Sequence, residues 1–212
     1  MRDLWTHGYV KICGVTNVVD ALAAVDAGAN AIGVIFAASP RRVNVDQAQE
    51  ILDTTRGSLL RCGVFRENSD DDVLKHTRLL DFDIVQLHGP ISDRLRGALR
   101  ERPTRIVKAL NIEDDEFASF NERTVDAVMI DGPRPGSGVT HSWDRLETRS
   151  FNVPVIASGG LDAHNVADVV RTTRAWGVDS SSGVESNPGT KDADLIKLFV
   201  AHARGAWAQV GE

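Results

Sequence analysis

A thiol and a carboxyl, each at the end of an apolar run, set the chemistry open to this chain. Cys13 closes Tyr9-Val10-Lys11-Ile12-Cys13 and is followed by Gly14; Asp131 closes Ala127-Val128-Met129-Ile130-Asp131 and is followed by Gly132. Both stand where a buried strand would give way to a loop. Placed across one pocket, one group can take a proton while the other gives one, which is acid–base chemistry on a small molecule. Lys11 lies on the same strand face as Cys13, where its ammonium favours the thiolate that a base requires. A carboxyl among apolar strand residues can have a raised pKa and serve as an acid. Plainer roles also fit: a buried core cysteine beside a structurally paired lysine, and a loop-bracing aspartate. Cys62, inside a strand without such a setting, reads as core filler.

Further stretches suggest ligand contacts. Ser158-Gly159-Gly160 and Ser180-Ser181-Ser182-Gly183 each follow an apolar run. Glycines let backbone N–H groups reach a phosphate, and serines add hydroxyl donors. Ser39-Pro40-Arg41-Arg42 offers a guanidinium that could hold a carboxylate bidentately, or a solvated surface pair. His88 either orients a ligand or caps a strand. The loop Gly132-Pro133-Arg134-Pro135-Gly136-Ser137-Gly138 permits close approach to a ligand; without G-K-[ST] it is not a P-loop. No His/Cys/Asp/Glu spacing suggests a metal, and no Ser-His-Asp order stands out.

The elements that must position these groups follow from periodicity. Short apolar runs rich in Val and Ile predict strands over Tyr9–Cys13, Ala31–Phe36, Leu59–Phe65, Phe82–Leu87, Arg105–Leu110, Ala127–Ile130, Val153–Ala157 and Gly177–Ser180. Between them lie helical spacings: Val18-Leu22-Val25, Ala48-Ile51-Leu52-Thr55, Val73-Thr77-Leu80, Asn165-Val166-Val169-Val170 and Leu195-Leu198-Phe199. Asn17, Ser92 and Asp192 are suited to cap helix starts, and Gly28 to end the first helix. Strand-then-helix units imply right-handed parallel crossovers. Eight of them close most naturally into an α/β fold of the (β/α)8 barrel type, spanning residues 1–212 as one domain. An open doubly wound sheet would usually have fewer strands at this length. In a barrel the chemistry sits at the C-terminal strand ends, and the last two loops often bind phosphate. Cys13, His88, Asp131, Ser158 and Ser180 all fall at such ends.

Composition narrows the partners. The 212 residues carry a formal net charge of −6 with 42% hydrophobic and 25% charged residues, ordinary for a soluble globular protein. Without a basic cluster, nucleic acid is not an expected partner; a small phosphorylated ligand needs only a local anion site. Two cysteines make no disulfide framework and fit a reducing cytoplasm. No run approaches the roughly 20 apolar residues needed to span a bilayer, and no leader pattern is evident.

In motif order the chain resembles the phosphoribosylanthranilate isomerase family of tryptophan biosynthesis along almost its whole length. The resemblance is carried by Lys11-Ile12-Cys13-Gly14-Val15-Thr16, Gly33-Val34-Ile35-Phe36 leading to Ser39-Pro40-Arg41, Gly63-Val64-Phe65, and Val85-Gln86-Leu87-His88-Gly89. It continues through Asp131, Ser158-Gly159-Gly160-Leu161, Val178-Asp179-Ser180-Ser181-Ser182-Gly183-Val184-Glu185, and Pro188-Gly189-Thr190-Lys191-Asp192. It implies an Amadori rearrangement without cofactor or metal. Asp131 matches the general acid, Cys13 the general base, and Arg41 the holder of the anthranilate carboxylate. His88 is a further substrate contact. Gly159, Gly160, Ser181, Ser182 and Gly183 match the phosphate grip, and Lys11 and Asp179 support the site. A monomer or a homodimer is expected.

The chain departs from the family pattern in places. His141 and Ser142 stand where Phe and Asp are usual, Arg66-Glu67 where Val-Asn is, and Ser158 where Ala is. Another phosphosugar barrel, such as the histidine-pathway isomerase, resembles a two-aspartate design, which Cys13 argues against. A non-catalytic phosphometabolite binder would need neither Cys13 nor Asp131.

Overall fold

The computed structural model describes residues 4–132, 142–147 and 149–210. Strands and helices alternate: β1 (Tyr9–Cys13), α1 (Val18–Asp26), β2 (Ala31–Ile35), α2 (Val45–Thr54), β3 (Leu60–Arg66), α3 (Asp70–Leu80), β4 (Ile84–His88) and α4 (Asp93–Arg100). Then follow β5 (Arg105–Asn111), α5 (Asp115–Ser119), β6 (Ala127–Asp131), α6 (Asp144–Glu147), β7 (Val155–Ala157), α7 (Val166–Thr173) and β8 (Gly177–Ser180). A hairpin of β9 (Glu185–Asn187) and β10 (Thr190–Lys191) precedes α8 (Ala193–Val210). Strands β1 to β8 pair in parallel and in chain order, and β8 returns to β1, closing the barrel.

Strand alternation divides the apolar residues between two cores. On β1, Val10 and Ile12 face the helices, while Tyr9 and Cys13 face the axis. Cys62, Val64, Val107, Ala109 and Met129 join that inner core, and Cys62 is filler there, as its sequence setting indicates. At the N-terminal end Trp5 and Trp176 pack on Tyr9, with ring centroids 5.2 and 5.4 Å away. That floor is apolar, so the polar groups gather at the opposite mouth.

The caps act as their types predict. Asn17 and Ser92 accept from Asp20 N and Leu95 N, and Asp192 Oδ1 accepts from Asp194 N and Leu195 N. Gly28 follows α1 with φ +77°, a conformation that costs glycine little.

Several boundaries and faces differ from the sequence expectation. Helix α1 buries Ala21 and Ala24, whereas Leu22 is exposed; small residues let this helix sit close. Leu198 on α8 is likewise exposed, and Ile196 takes its place in the core. β7 starts at Val155, because Pro154 has no N–H to give the ladder. β3 and β4 each end one residue late, at Arg66 and His88. In strand phase with Val64 and Gln86, both then belong to the inward-facing set. The β9–β10 hairpin was not foreseen; it turns at Pro188-Gly189, with Gly189 at φ +85°. Among the described residues no helix is long and apolar enough to cross a membrane.

Candidate active site

The C-terminal mouth opens into a cavity of about 620 Å³. Cys13, from the end of β1, and Asp131, from the end of β6, both line it. Glycines make room for the thiol and its neighbours. A Cβ on Gly33 would lie 3.0 Å from Cys13 Sγ, and one on Gly14, at φ +69°, 2.6 Å from Arg41 Cδ.

Beneath Cys13 lies a buried ion pair. Lys11 and Asp179 are register partners on β1 and β8, and Nζ stands 2.7 Å from Oδ1. Asp179 Oδ2 also accepts from Ser158 Oγ at 3.3 Å. Burial works against the Lys11 ammonium, but Asp179 and the neighbouring thiols more than offset it, so its pKa lies well above the ordinary lysine value. Burial pushes the Cys13 thiol up as well, and Lys11 pulls it down by less. Lys11 thus acts in the direction expected from the sequence, yet desolvation wins and Cys13 rests as a thiol at neutral pH. Lys11 lies below the cavity wall, while Asp179 reaches it. Substituting Lys11→Met leaves Asp179 buried without its cation, and should cost about 3–5 kcal/mol of stability. Urea unfolding of the variant measures this; an unchanged midpoint would refute the pair's structural role.

Asp131 is buried, and its Oδ1 accepts from the Gly132 N–H at 2.9 Å. The loop that follows, residues 133–141, lies outside the described residues, and with it the altered stretch from Gly136 to His141. At its far end Ser142 Oγ accepts from Asp144 N at 3.2 Å, and Trp143 packs partly buried on the helix-side core.

Arg41 lines the cavity, but it is not an open clamp. Its Nε and Nη2 donate to the two carboxylate oxygens of Glu185, at 2.7 and 2.8 Å. Lys191 Nζ donates to the same carboxylate at 2.8 Å and to Ser181 O at 3.0 Å. Burial would raise the Glu185 carboxyl, but its bonds to Arg41 and Lys191 prevail and hold it below the usual range. Two cations therefore share one carboxylate. The outer edge of the Arg41 guanidinium remains for an incoming carboxylate. Glu185 and Lys191 stood in recognisable sequence blocks, but nothing local tied Glu185 to Arg41, 144 positions earlier.

The two glycine–serine loops meet at one side of the mouth. Gly159 and Gly160 adopt φ +90° and +69°, and with Ser181 and Ser182 they line the cavity. Ser181 Oγ is buried with no partner among the described residues. Gly183 does not line the cavity. A Cβ there would fall 2.0 Å from Leu161 O, so this glycine serves the packing of the β8 loop against the β7 loop. Its side-chain position thus has a steric role that periodicity could not reveal.

His88 also lines the cavity, with the Gln86 amide 2.9 Å from Nε2 and Arg66 Nη2 a long 3.4 Å from Nδ1. Burial, then the nearby cations, push its pKa down to about 3. It is a neutral hydrogen-bonding ring at physiological pH, not a general acid.

Comparison with known proteins supports the resemblance seen in the sequence. A family model described as N-(5'phosphoribosyl)anthranilate (PRA) isomerase matches residues 10–202. Curated proteins of that name from Rubrobacter xylanophilus and Desulforamulus reducens are 37% and 39% identical, covering 92% of this chain and 98% and 94% of theirs. Phosphoribosyl anthranilate isomerase from Thermotoga maritima superimposes with a TM-score of 0.84 at 33% identity, over 93% of this chain and 98% of that one. A solved isomerase in complex with reduced 1-(o-carboxyphenylamino)-1-deoxyribulose 5-phosphate has a TM-score of 0.79 at 31% identity, with the same two coverages, 93% and 98%. The barrel closed in chain order, the thiol and carboxyl on one cavity and these likenesses converge: this chain belongs to the N-(5'-phosphoribosyl)anthranilate isomerase family.

Proposed function

We propose that this chain rearranges N-(5'-phosphoribosyl)anthranilate to 1-(2-carboxyphenylamino)-1-deoxyribulose 5-phosphate by general acid–base catalysis. The observation that carries the reading is that Cys13 and Asp131, 118 residues apart in sequence, line the same cavity. Asp131 donates a proton to the ring oxygen as its bond to C1 breaks, and the amine nitrogen's lone pair forms the iminium. That cation acidifies the C2 proton, so a modest base suffices, and Cys13 removes it to give the enolamine. Protonation at C1 and loss of the C2 hydroxyl proton then yield the ketone, with no net redox change.

The ligand has two anionic ends. Gly159, Gly160, Ser181 and Ser182 are the proposed grip on the phosphate, and the outer edge of Arg41 meets the aryl carboxylate. His88 contributes a neutral contact. Rescue of a tryptophan auxotroph lacking this step, together with turnover by the purified protein, tests the reading; a chain that binds the substrate but leaves it unchanged is a binder, not an isomerase.

The raised thiol pKa makes the pH dependence diagnostic. Catalysis needs a proton on Asp131 and none on Cys13, although a thiol is the weaker acid of the two. The productive arrangement is then a minority form of a pair holding one proton. Its share is constant until the second proton leaves. We expect kcat/KM to be level around neutrality and to fall as pH passes the elevated thiol pKa. A rise from pH 7 to 9 along a single ionisation curve would reject the shared proton.

A further inference from the structure

Gln86 sits one inward position deeper on β4 than His88, lines the cavity and is only 2% exposed. The two ends of its amide are treated differently. The nitrogen lies 2.9 Å from His88 Nε2, while Oε1 is buried with no hydrogen-bond partner among the described residues. Buried carbonyl oxygens are nearly always paired, so an orphan on a cavity wall calls for a donor from outside the chain. The neighbours supply none. The register partners of Gln86 are Val64 and Val107, whose side chains are apolar, and Lys11, beneath the cavity, is held by Asp179.

His88 decides which end of the amide stays free. Donors flank its ring on both sides: the Gln86 nitrogen at Nε2 and Arg66 Nη2 at Nδ1. Burial keeps the ring neutral, and a neutral imidazole has one nitrogen lone pair to offer. The 2.9 Å contact takes it. The Arg66 contact, at 3.4 Å, is too long for a good hydrogen bond, as expected where an N–H faces a guanidinium. His88 then carries its proton on Nδ1 and holds the amide nitrogen through Nε2, which reserves Oε1 for a ligand.

We propose that Gln86 is a specificity-determining residue whose Oε1 accepts a hydrogen bond from a hydroxyl of the substrate's sugar chain, with His88 as the residue that positions it. This deepens the isomerase reading above and rests on it. The phosphate and the carboxylate are anions, which a carbonyl oxygen repels. The amine N–H is engaged by the carboxylate ortho to it on the same ring. The donors left are the hydroxyls of the opened chain.

The test compares, by calorimetry, 1-(2-carboxyphenylamino)-1-deoxyribulose 5-phosphate with its analogues lacking the C3 or the C4 hydroxyl, on wild type and Gln86→Met. Methionine keeps the side chain's length and leaves no orphan oxygen, so the variant should keep the wild-type melting temperature. Wild type should bind one of the two analogues about tenfold more weakly than the full ligand, in line with one buried hydrogen bond. Gln86→Met should bind that analogue and the full ligand alike, and Gln86→Glu, which keeps an acceptor, should recover part of the discrimination. The same discrimination in wild type and Gln86→Met, or none in wild type, would overturn the assignment of Gln86 while leaving the isomerase reading in place. A second measurement needs no variant at position 86. The ¹⁵N resonances of His88 should show its proton on Nδ1; a proton on Nε2 would put the carbonyl oxygen of Gln86 against the ring and overturn the proposal. If wild type binds none of the three ligands, the isomerase reading falls and this one with it.

Discussion

Cys13→Ala should lower kcat by about 10²–10⁴-fold, the range that general-base catalysis supplies, with the barrel intact. The thiol is buried and rests neutral, and Lys11 keeps its ion pair with Asp179 when the sulfur is removed. Truncating one buried atom costs about 1–2 kcal/mol by comparison with other small core deletions, too little to unfold a barrel of this size. Cys13→Ser should be nearly as impaired, because a hydroxyl is a far weaker base at the same position. In Cys13→Ser, abstraction of the C2 proton becomes slowest, so substrate deuterated at C2 should react several-fold more slowly than the protonated form. A Cys13→Ala protein with near-normal kcat would end the base assignment.

Asp131→Asn should cost a comparable factor, about 10²–10⁴ in kcat, for a different reason. The amide has the carboxyl's shape, and its oxygen can still accept from the Gly132 N–H that now meets Oδ1. What it lacks is a proton to give to the ring oxygen. Ring opening then becomes slowest and precedes any event at C2, so deuteration at C2 should leave the rate unchanged. The isotope effect thereby separates the two roles, which loss of activity alone could not. If Asp131→Asn showed the large effect and Cys13→Ser none, acid and base would have to be exchanged.

The sequence alone carried the alternation of strands and helices, the barrel, and the strand-end positions of Cys13 and Asp131, the proposed base and acid. It could do so because these are local signals. Buried parallel strands read as unbroken apolar runs, helix caps depend on neighbouring residues, and a polar residue that breaks an apolar run marks a strand end. What it could not carry were the relations that closure of the barrel creates. Glu185, which Lys191 also holds, meets Arg41 only because the β9–β10 hairpin folds back on the loop after β2. The glycine at position 183 is required by the close approach of Leu161, on another loop. The protonation state of Cys13 follows from how much water the barrel excludes, which outweighs the lysine two residues away. Arg66 lines the cavity because β3 runs one residue past its apolar run, since a single step along a strand decides whether a side chain faces the cavity or the helices.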